Sequence, residues 1–160
     1  MRIRARAAGR VNLIGDHTDY MGGLALPMTI DRFTVVEGVP TPDSPTVRLV
    51  SDSEPEPAVF GLPAPDPSGL EPQWAAYAAA VAHEFGITTG FTGTVTSTIP
   101  RGAGLSSSAS LELATALALL AAQQRPLPEP LELALACQRA EHLAVGVPSG
   151  LMDQLCIATG

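Results

Sequence analysis

The sequence is organised around Pro100-Arg101-Gly102-Ala103-Gly104-Leu105-Ser106-Ser107-Ser108-Ala109. The Thr/Val-rich run before it, from Phe91 to Ile99, predicts a β-strand, and the Ala/Leu-rich run after it, from Ser110 to Ala122, predicts a helix. Glycines let backbone N–H groups approach a polyanion, and the first turn of a helix offers unpaired N–H groups with a partial positive charge. Serine hydroxyls bind phosphate or a hard cation such as Mg²⁺. The stretch therefore predicts an anion site.

Two familiar phosphate-binding patterns do not match this loop. It has no terminal Gly-Lys-Ser/Thr, so it is not a Walker A sequence, and it is not the dinucleotide-binding GxGxxG. The plain alternative is a flexible Gly/Ser connector, which is disfavoured because Leu105 and Ala109 interrupt the polar run and an apolar helix follows. A nucleotide bound here would be held without the P-loop lysine.

The composition is that of a globular protein. The 160 residues fit one domain, or one and part of another, and 46% of them are apolar. The net charge is −7 without a basic cluster, so nucleic acid and anionic membranes are poor partners. Neither a membrane-spanning run nor a secretory leader is expected. Cys137 and Cys156 lack metal-like spacing and are expected to be free thiols, and a cytoplasmic protein is the simplest interpretation.

A second polar cluster lies near the start of the chain. Residues 2–8 alternate between arginine and apolar residues, which is typical of a half-exposed strand, and Leu24–Met28 is also strand-like. Between them, Gly9–Gly23 combines four glycines with Arg10, Asn12, Asp16, His17 and Asp19. Convergent polar groups on a glycine-rich backbone suit a small hydroxylated ligand. A polar turn between two strands is the alternative, but it does not explain why an arginine, carboxylates and a histidine cluster.

The middle of the chain is rich in proline. Residues 40–72 hold nine of the fifteen prolines, which predicts a surface segment or strands with long turns, with Thr46–Ser51 as one strand. Pro72 then opens a predicted helix that Gly86 ends. One face of this helix is assigned to the core rather than to a ligand site; it carries Trp74, Tyr77, Ala78, Val81 and Phe85.

Two further carboxylates follow near the C-terminal end. Pro130 opens a predicted helix that runs to about Leu143, and Glu141 lies near its end, where the helix dipole does not favour an acidic group. The segment Gly146–Gln154 predicts a turn that leads into a helix with Asp153 in its first turn. A purely structural role stays open for each residue. Glu141 could be solvated or paired with Arg139, and Asp153 could serve only to complement the helix dipole.

These parts together favour phosphoryl transfer to an alcohol. That reaction needs a cradle for phosphates, a metal ion that neutralises charge, a group that positions or deprotonates the hydroxyl, and a cation near the reacting oxygens. The residues themselves support this reaction class without naming the acceptor.

Three motifs carry a resemblance to a known family. Gly9–Gly23 resembles the galactokinase signature, Pro100–Ala109 resembles the Pro-x-x-x-Gly-Leu-Ser-Ser-Ser-Ala loop of GHMP kinases, and Gly146–Gln154 resembles the galactokinase segment ending in Met-Asp-Gln. The loop alone would indicate only the superfamily, which includes mevalonate and homoserine kinases, whereas the first motif points to galactose. The resemblance implies an α+β GHMP kinase N-terminal domain with a left-handed βαβ unit, and ATP-dependent phosphorylation of galactose at its C1 hydroxyl.

The resemblance divides the chain into four parts. These are a sugar-binding signature at residues 1–28, a proline-rich surface segment at 40–72, a strand, phosphate loop and helix at 91–122, and a helix with the catalytic aspartate segment at 130–160.

The resemblance also implies roles for individual residues. Asp153 matches the base that accepts the proton of the C1 hydroxyl, and Arg10 the arginine that stabilises the reacting oxygens. The positions that match sugar contacts are Asp16, His17, Asp19 and Gly150. The ATP phosphates would be wrapped by Gly102, Ala103, Gly104, Leu105, Ser106, Ser107 and Ser108. The implied cofactor is Mg²⁺, with Ser108 and Glu141 as its ligands and Ser107 as the less favoured choice.

Two features depart from the family pattern. Asp16 stands where galactokinases usually have glutamate, so its contact with the sugar is expected to be lost or mediated by water. Galactokinases are also more than twice as long as this chain. We therefore expect an incomplete N-terminal piece whose partners are galactose, ATP and its own C-terminal domain, and which has little or no activity alone. A non-catalytic galactose- and ATP-binding sensor, or a GHMP kinase for another alcohol, is the alternative function.

Overall fold

The computed structural model describes residues 1–15, 21–100 and 102–160. In this part of the chain, five strands and four helices follow one another in the order β1 (Ile3–Asn12), β2 (Pro27–Thr41), β3 (Thr46–Ser51), β4 (Ala58–Gly61), α1 (Gln73–Glu84), β5 (Gly90–Ser97), α2 (Ser107–Ala122), α3 (Pro130–Val145) and α4 (Met152–Thr159). None of the helices in these described ranges is long and apolar enough to cross a bilayer.

The strands form one mixed sheet in the order β1-β2-β5-β3-β4. Neighbouring strands are antiparallel except for β3 and β5, which run parallel with Val47 opposite Phe91 and Ser51 opposite Val95. The connection between this parallel pair passes through β4 and α1, as a βαβ unit requires. The predicted α+β class is confirmed, and the left hand of the crossover stays a prediction.

The core lies between one face of the sheet and the helices. Alternate residues of the strands point into it, including Ile3 and Ala7 on β1 and Val47 and Leu49 on β3. Helix α2 is buried nearly all round, because it contacts β1, β2 and each of the other three helices. Its first turn therefore occupies a fixed place at the edge of the core, and this turn is where the loop predicted to bind phosphate ends.

The boundaries of three predicted elements need correction. Helix α2 begins at Ser107 rather than Ser110, β5 ends at Ser97 rather than Ile99, and the strand expected over Leu24–Met28 begins only at Pro27. The serines at 107 and 108 are thus part of the helix, since a serine run is compatible with a first turn whose N–H groups have no helical partners.

The proline-rich segment forms strands joined by turns. The strand predicted over Thr46–Ser51 is confirmed, and β4 pairs with it in antiparallel register. The helix predicted to start at Pro72 is confirmed as α1, with Trp74, Ala78 and Val81 buried. Tyr77 is only half-buried.

Strand β1 approaches the phosphate loop very closely. The backbone N–H of Arg10 donates to the carbonyl oxygen of Leu105 at 3.2 Å, and the buried hydroxyl of Ser110 donates to the carbonyl of Ala7 at 2.9 Å. A Cβ atom at Gly9 would lie 2.9 Å from the same Leu105 oxygen. The contact between strand and loop therefore depends on the missing side chain at Gly9.

We expect Gly9→Ala to destabilise the protein by about 1–3 kcal/mol, because the added methyl group must push the loop away from the strand. Urea unfolding followed by circular dichroism measures this loss. The matched control is Gly61→Ala on β4, where the nearest atom to an added Cβ is 4.0 Å away, and no comparable loss is expected. Equal midpoints for wild type and Gly9→Ala would contradict the steric argument.

Candidate functional site

Two side chains predicted to carry the chemistry lie in direct contact. Arg10 of β1 donates from Nε to Oδ1 of Asp153 at 2.7 Å and from Nη2 to Oδ2 at 2.8 Å. Its Nη1 donates to the carbonyl oxygen of Gly104 at 2.7 Å. The side chains are 14% and 27% exposed, so this bidentate pair is largely withdrawn from water yet still reachable. Arg10 thus joins β1, the loop and the first turn of α4.

Ser106 connects the loop to the same carboxylate. Its hydroxyl donates to Oδ2 of Asp153, and its backbone is left-handed at a φ of 57°. A non-glycine residue in this conformation is costly and persists only where its surroundings hold it. Ser106 lies in the loop that precedes α2, and its side chain is directed to Asp153. Oδ2 consequently accepts hydrogen bonds from both Ser106 and Arg10.

The loop and the start of α2 present groups that suit an anion. Gly102 and Gly104 have positive φ angles of 68° and 69°, and Gly102, Ala103 and Gly104 are exposed. Helix α2 has no side-chain cap at Ser106 and no acidic residue in its first turn. Its first N–H groups and the positive end of its dipole are therefore open to a ligand, which is the arrangement expected for binding phosphates.

The two predicted metal ligands also lie together. The hydroxyl of Ser108 on α2 donates to Oε1 of Glu141 on α3 at 3.1 Å. The alternative ion pair between Arg139 and Glu141 is not formed, because Nε of Arg139 pairs with Oε2 of Glu84 at 2.8 Å. Within the ranges that the structure describes, no group of three or more His, Cys, Asp or Glu residues could hold a metal ion. A hydroxyl and a carboxylate are hard oxygen donors that fit Mg²⁺, provided that phosphates and water complete its shell.

A buried polar cluster lies directly behind Glu141. Gln154 on α4 is fully buried, and its Nε2 donates to Oε2 of Glu141 at 3.0 Å and to Oε2 of Glu112 at 3.2 Å. Ser149 also donates to Oε2 of Glu141, at 2.5 Å. Glu112 lies on α2 with no solvent exposure. Two buried atoms of this cluster, Glu112 Oε1 and Gln154 Oε1, have no hydrogen-bond partner among the described residues.

Burial raises the pKa of Glu112 well above its ordinary value of 4.5, and the negative charge of Glu141 raises it further. These surroundings favour the uncharged form of the Glu112 carboxyl group, and its Oε2 accepts the hydrogen bond from Gln154.

The stability of a Glu112→Gln variant relative to wild type is expected to increase as the pH rises from 4 toward 7. The unfolded chain loses the Glu112 proton once the pH passes about 4.5, whereas the raised pKa makes the folded chain hold it to higher pH, so a rising pH removes stability from the wild type through Glu112 that the variant does not lose. Urea midpoints of both proteins across this range measure the effect. The control is Glu132→Gln at an exposed position, where no such widening is expected. A constant difference between Glu112→Gln and wild type would show that Glu112 is ionised in the folded state.

A pocket beside the loop adjoins the hydrophobic core. It has a volume of about 180 Å³ and joins the first turn of α2 to α1 and the sheet. Trp74 and Tyr77 form its aromatic wall; the predicted core position of Trp74 is confirmed, whereas Tyr77 is only half-buried. Burial is the main cause that raises the pKa of Tyr77, and the nearby carboxyl groups of Glu141 and Glu112 raise it further. The sequence signal for this pocket was a pair of large aromatic residues on a helix near the phosphate loop. The spacing of this pair is equally typical of a helix face that packs against the core.

Glu54 reaches this pocket from the proline-rich segment, and Ser107 and Ser108 reach it from the first turn of α2. The pocket is thus continuous with the site for an anion and offers apolar and polar walls to a larger group attached to that anion.

The sugar-contacting positions are only partly described. Asp16, His17 and Asp19 lie outside the described residues. Gly150 is half-buried and follows Ser149, whose backbone N–H donates to Nε2 of His142 at 2.8 Å. Since Ser149 also bonds Glu141, the segment that carries Gly150 is fixed to the helix that carries the predicted metal ligand.

Comparison with known proteins agrees with this geometry. A family model for the N-terminal domain of GHMP kinases matches residues 74–160, and a model for the galactokinase galactose-binding signature matches residues 2–40. The galactokinase of Bos taurus is 44% identical over 169 residues, and that of Homo sapiens is 43% identical over 170. Each alignment covers 99% of this chain, and the chain spans 42% of the length of these curated relatives.

Solved structures give the same result for the fold. The crystal structure of Lactococcus lactis galactokinase complexed with galactose superposes with a TM-score of 0.88 at 32% identity, over 98% of this chain and 42% of that one. A mevalonate kinase superposes with a TM-score of 0.80 at 23% identity, over 98% of this chain and 51% of that one, which supports the fold alone. The chain therefore belongs to the GHMP kinase family and corresponds to the N-terminal region of galactokinases.

Proposed function

We propose that the full-length protein transfers the γ-phosphoryl group of ATP to the C1 hydroxyl of galactose, giving galactose 1-phosphate and ADP. The observation that carries this proposal is the bidentate contact between Arg10 and Asp153 at the end of the phosphate loop. It brings an acceptor for a proton and a fixed cation within reach of an anion site. The similarity to galactokinases supports galactose as the acceptor.

Asp153 and Arg10 would handle the proton and the charge at the acceptor. As the bond between the C1 oxygen and the γ-phosphorus forms, the hydroxyl proton passes to the Asp153 carboxylate, and the bond between the γ-phosphorus and the bridging oxygen breaks. The guanidinium of Arg10 lies against the same carboxylate, where it would stabilise negative charge on the reacting oxygens. Both groups are held in advance of substrate binding, so the protein does not have to reorganise them during the reaction.

The loop and α2 would hold the other substrate. Backbone N–H groups from Gly102 to Ser108 bind the phosphates of ATP, and the pocket wall of Trp74 and Tyr77 accepts its base. Ser108 and Glu141 would hold Mg²⁺ together with the phosphates. When bound there, the ion supplies neutralisation of phosphate charge and orients the transferred group.

Galactose-dependent formation of ADP tests this function. The assay compares galactose with N-acetylgalactosamine, arabinose and mevalonate in the full-length protein, at saturating ATP and Mg²⁺. Calorimetric titration with a non-hydrolysable ATP analogue measures nucleotide binding independently of turnover. We expect turnover to be highest with galactose. Binding of galactose and ATP without turnover would indicate a sensor instead, and preference for another alcohol would reassign the substrate.

A further inference from the structure

The buried amide of Gln154 lies where two functional parts of the site meet. It is adjacent in sequence to Asp153 on the first turn of α4, and successive helical residues point about 100° apart. Asp153 is directed to Arg10 and Ser106, whereas Gln154 is directed to Glu141 and Glu112. One helical turn therefore fixes the predicted base on one side and contacts the predicted metal ligand on the other.

The contacts of Glu141 leave one direction for a cation. Its Oε2 accepts from both Gln154 and Ser149, and its Oε1 contacts the hydroxyl of Ser108, the other predicted ligand. Two donors on Oε2 restrict rotation of the carboxylate, so Oε1 faces Ser108 before any ion arrives. Of these donors, Gln154 is fully buried, and it is anchored at its second hydrogen by Glu112.

We propose that Gln154 is a positioning residue that holds Glu141 in the orientation required to ligate Mg²⁺, with Glu112 as the buried acceptor that holds Gln154. The inference rests on the proposed function, since it assigns Glu141 to the metal ion that accompanies ATP. Gln154 is not a catalytic residue, because it acts only through Glu141. Oε2 of Glu112 lies 3.2 Å from Nε2 of Gln154, so the buried amide has an acceptor on each side.

The test measures how strongly Mg²⁺ enhances nucleotide binding. Calorimetric titration gives the Kd of a non-hydrolysable ATP analogue in Mg²⁺ and in EDTA, for the full-length wild type and for Gln154→Met, which keeps the length of the side chain without its amide. Loss of an outer partner of a metal ligand typically costs about 10–100-fold in metal affinity. We expect Gln154→Met to lose about tenfold or more of the Mg²⁺ enhancement while its Kd in EDTA stays at the wild-type value.

Gln123→Met is the matched control, because it removes the same amide from a glutamine at the opposite end of α2. Gln123 accepts hydrogen bonds from the backbone N–H groups of Thr88 and Thr89 and does not contact Glu141, so the Mg²⁺ enhancement is expected to equal that of wild type. If Gln154→Met does not fold, as judged by circular dichroism in EDTA, Gln154→Asn replaces it. This variant keeps the amide but shortens its reach by one methylene, and the same selective loss is expected.

Three outcomes overturn the inference. An unchanged Mg²⁺ enhancement in the Gln154 variant removes the positioning role, and an equal loss of affinity in Mg²⁺ and EDTA assigns Gln154 to general structure. A wild type that binds the analogue equally well with and without Mg²⁺ also refutes it, while the proposed nucleotide site stands. A wild type that does not bind the analogue at all refutes the proposed function itself, so the two failures are distinguishable.

Discussion

Asp153→Asn is expected to lower the kcat of galactose phosphorylation by about 10²–10⁴-fold, the range that a positioned general base contributes. The amide has nearly the shape of the carboxylate but cannot take the hydroxyl proton. The KM for galactose is expected to change little, because the proton moves only as the transition state forms. Steady-state kinetics with a coupled ADP assay, and calorimetric titration of galactose, measure the two quantities.

The same substitution at Asp31 controls for the loss of a carboxylate as such. Asp31 is on β2, its side chain is 90% exposed, and it contacts Arg32 on the surface. We expect Asp31→Asn to leave kcat unchanged. In Asp153→Asn, the new amide faces the donors of Arg10 and Ser106, so thermal melts of both variants are needed to separate lost chemistry from lost stability. A folded Asp153→Asn with wild-type kcat would remove Asp153 as the base.

Arg10→Lys is expected to lower kcat by about 10²–10³-fold, comparable to the loss of one preorganised donor at a developing oxyanion. Lysine keeps the positive charge but lacks the planar fork that now bonds both oxygens of Asp153 and the carbonyl of Gly104. A single ammonium cannot satisfy these three acceptors in the same geometry. Stability is expected to decrease as well, by about 1–3 kcal/mol, because a partly buried acceptor is left unpaired.

Arg32→Lys provides the comparison for this change. Arg32 is about half-exposed and pairs with a neighbouring surface carboxylate, so neither kcat nor the unfolding midpoint is expected to respond. If Arg10→Lys reduced the unfolding midpoint but not kcat, Arg10 would be a structural clamp rather than a group that acts on the reacting oxygens.

The sequence predicted the short motifs of this site better than the contacts between residues that are far apart in the chain. The loop and the helix after it depend on one short motif whose physical properties are visible in a few residues. The pairing of Ser108 with Glu141 spans 33 positions and was implied only by the resemblance. The contact between Arg10 and Asp153 spans 143 positions, and no local pattern encodes it; only the resemblance placed both residues in one site.

Glu112 and Gln154 were missed for a different reason. Ser108 and Glu112 are four positions apart on α2 and Thr115 is three further, so they share a helical face within an otherwise apolar sequence. A glutamate in such a helix is a signal for a buried polar contact, but its partner on α4 becomes evident only when the helices are packed. Trp74 was correctly predicted in the core, but its second role, with Tyr77, as the wall of a pocket was missed because amphipathic spacing does not distinguish a core face from the wall of a pocket that adjoins it.

The long separation between Arg10 and Asp153 affects how the protein emerges during synthesis. Strand β1 leaves the ribosome early, yet the carboxylate that neutralises its arginine is added 143 residues later, which corresponds to roughly 10–30 s at ordinary translation rates. Throughout that interval the nascent chain carries Arg10 without its native counter-ion. The nascent chain therefore gains the pair of Arg10 and Asp153 only when α4 docks, so an interrupted translation product that ends before residue 153 contains the phosphate loop but not the carboxylate that faces it.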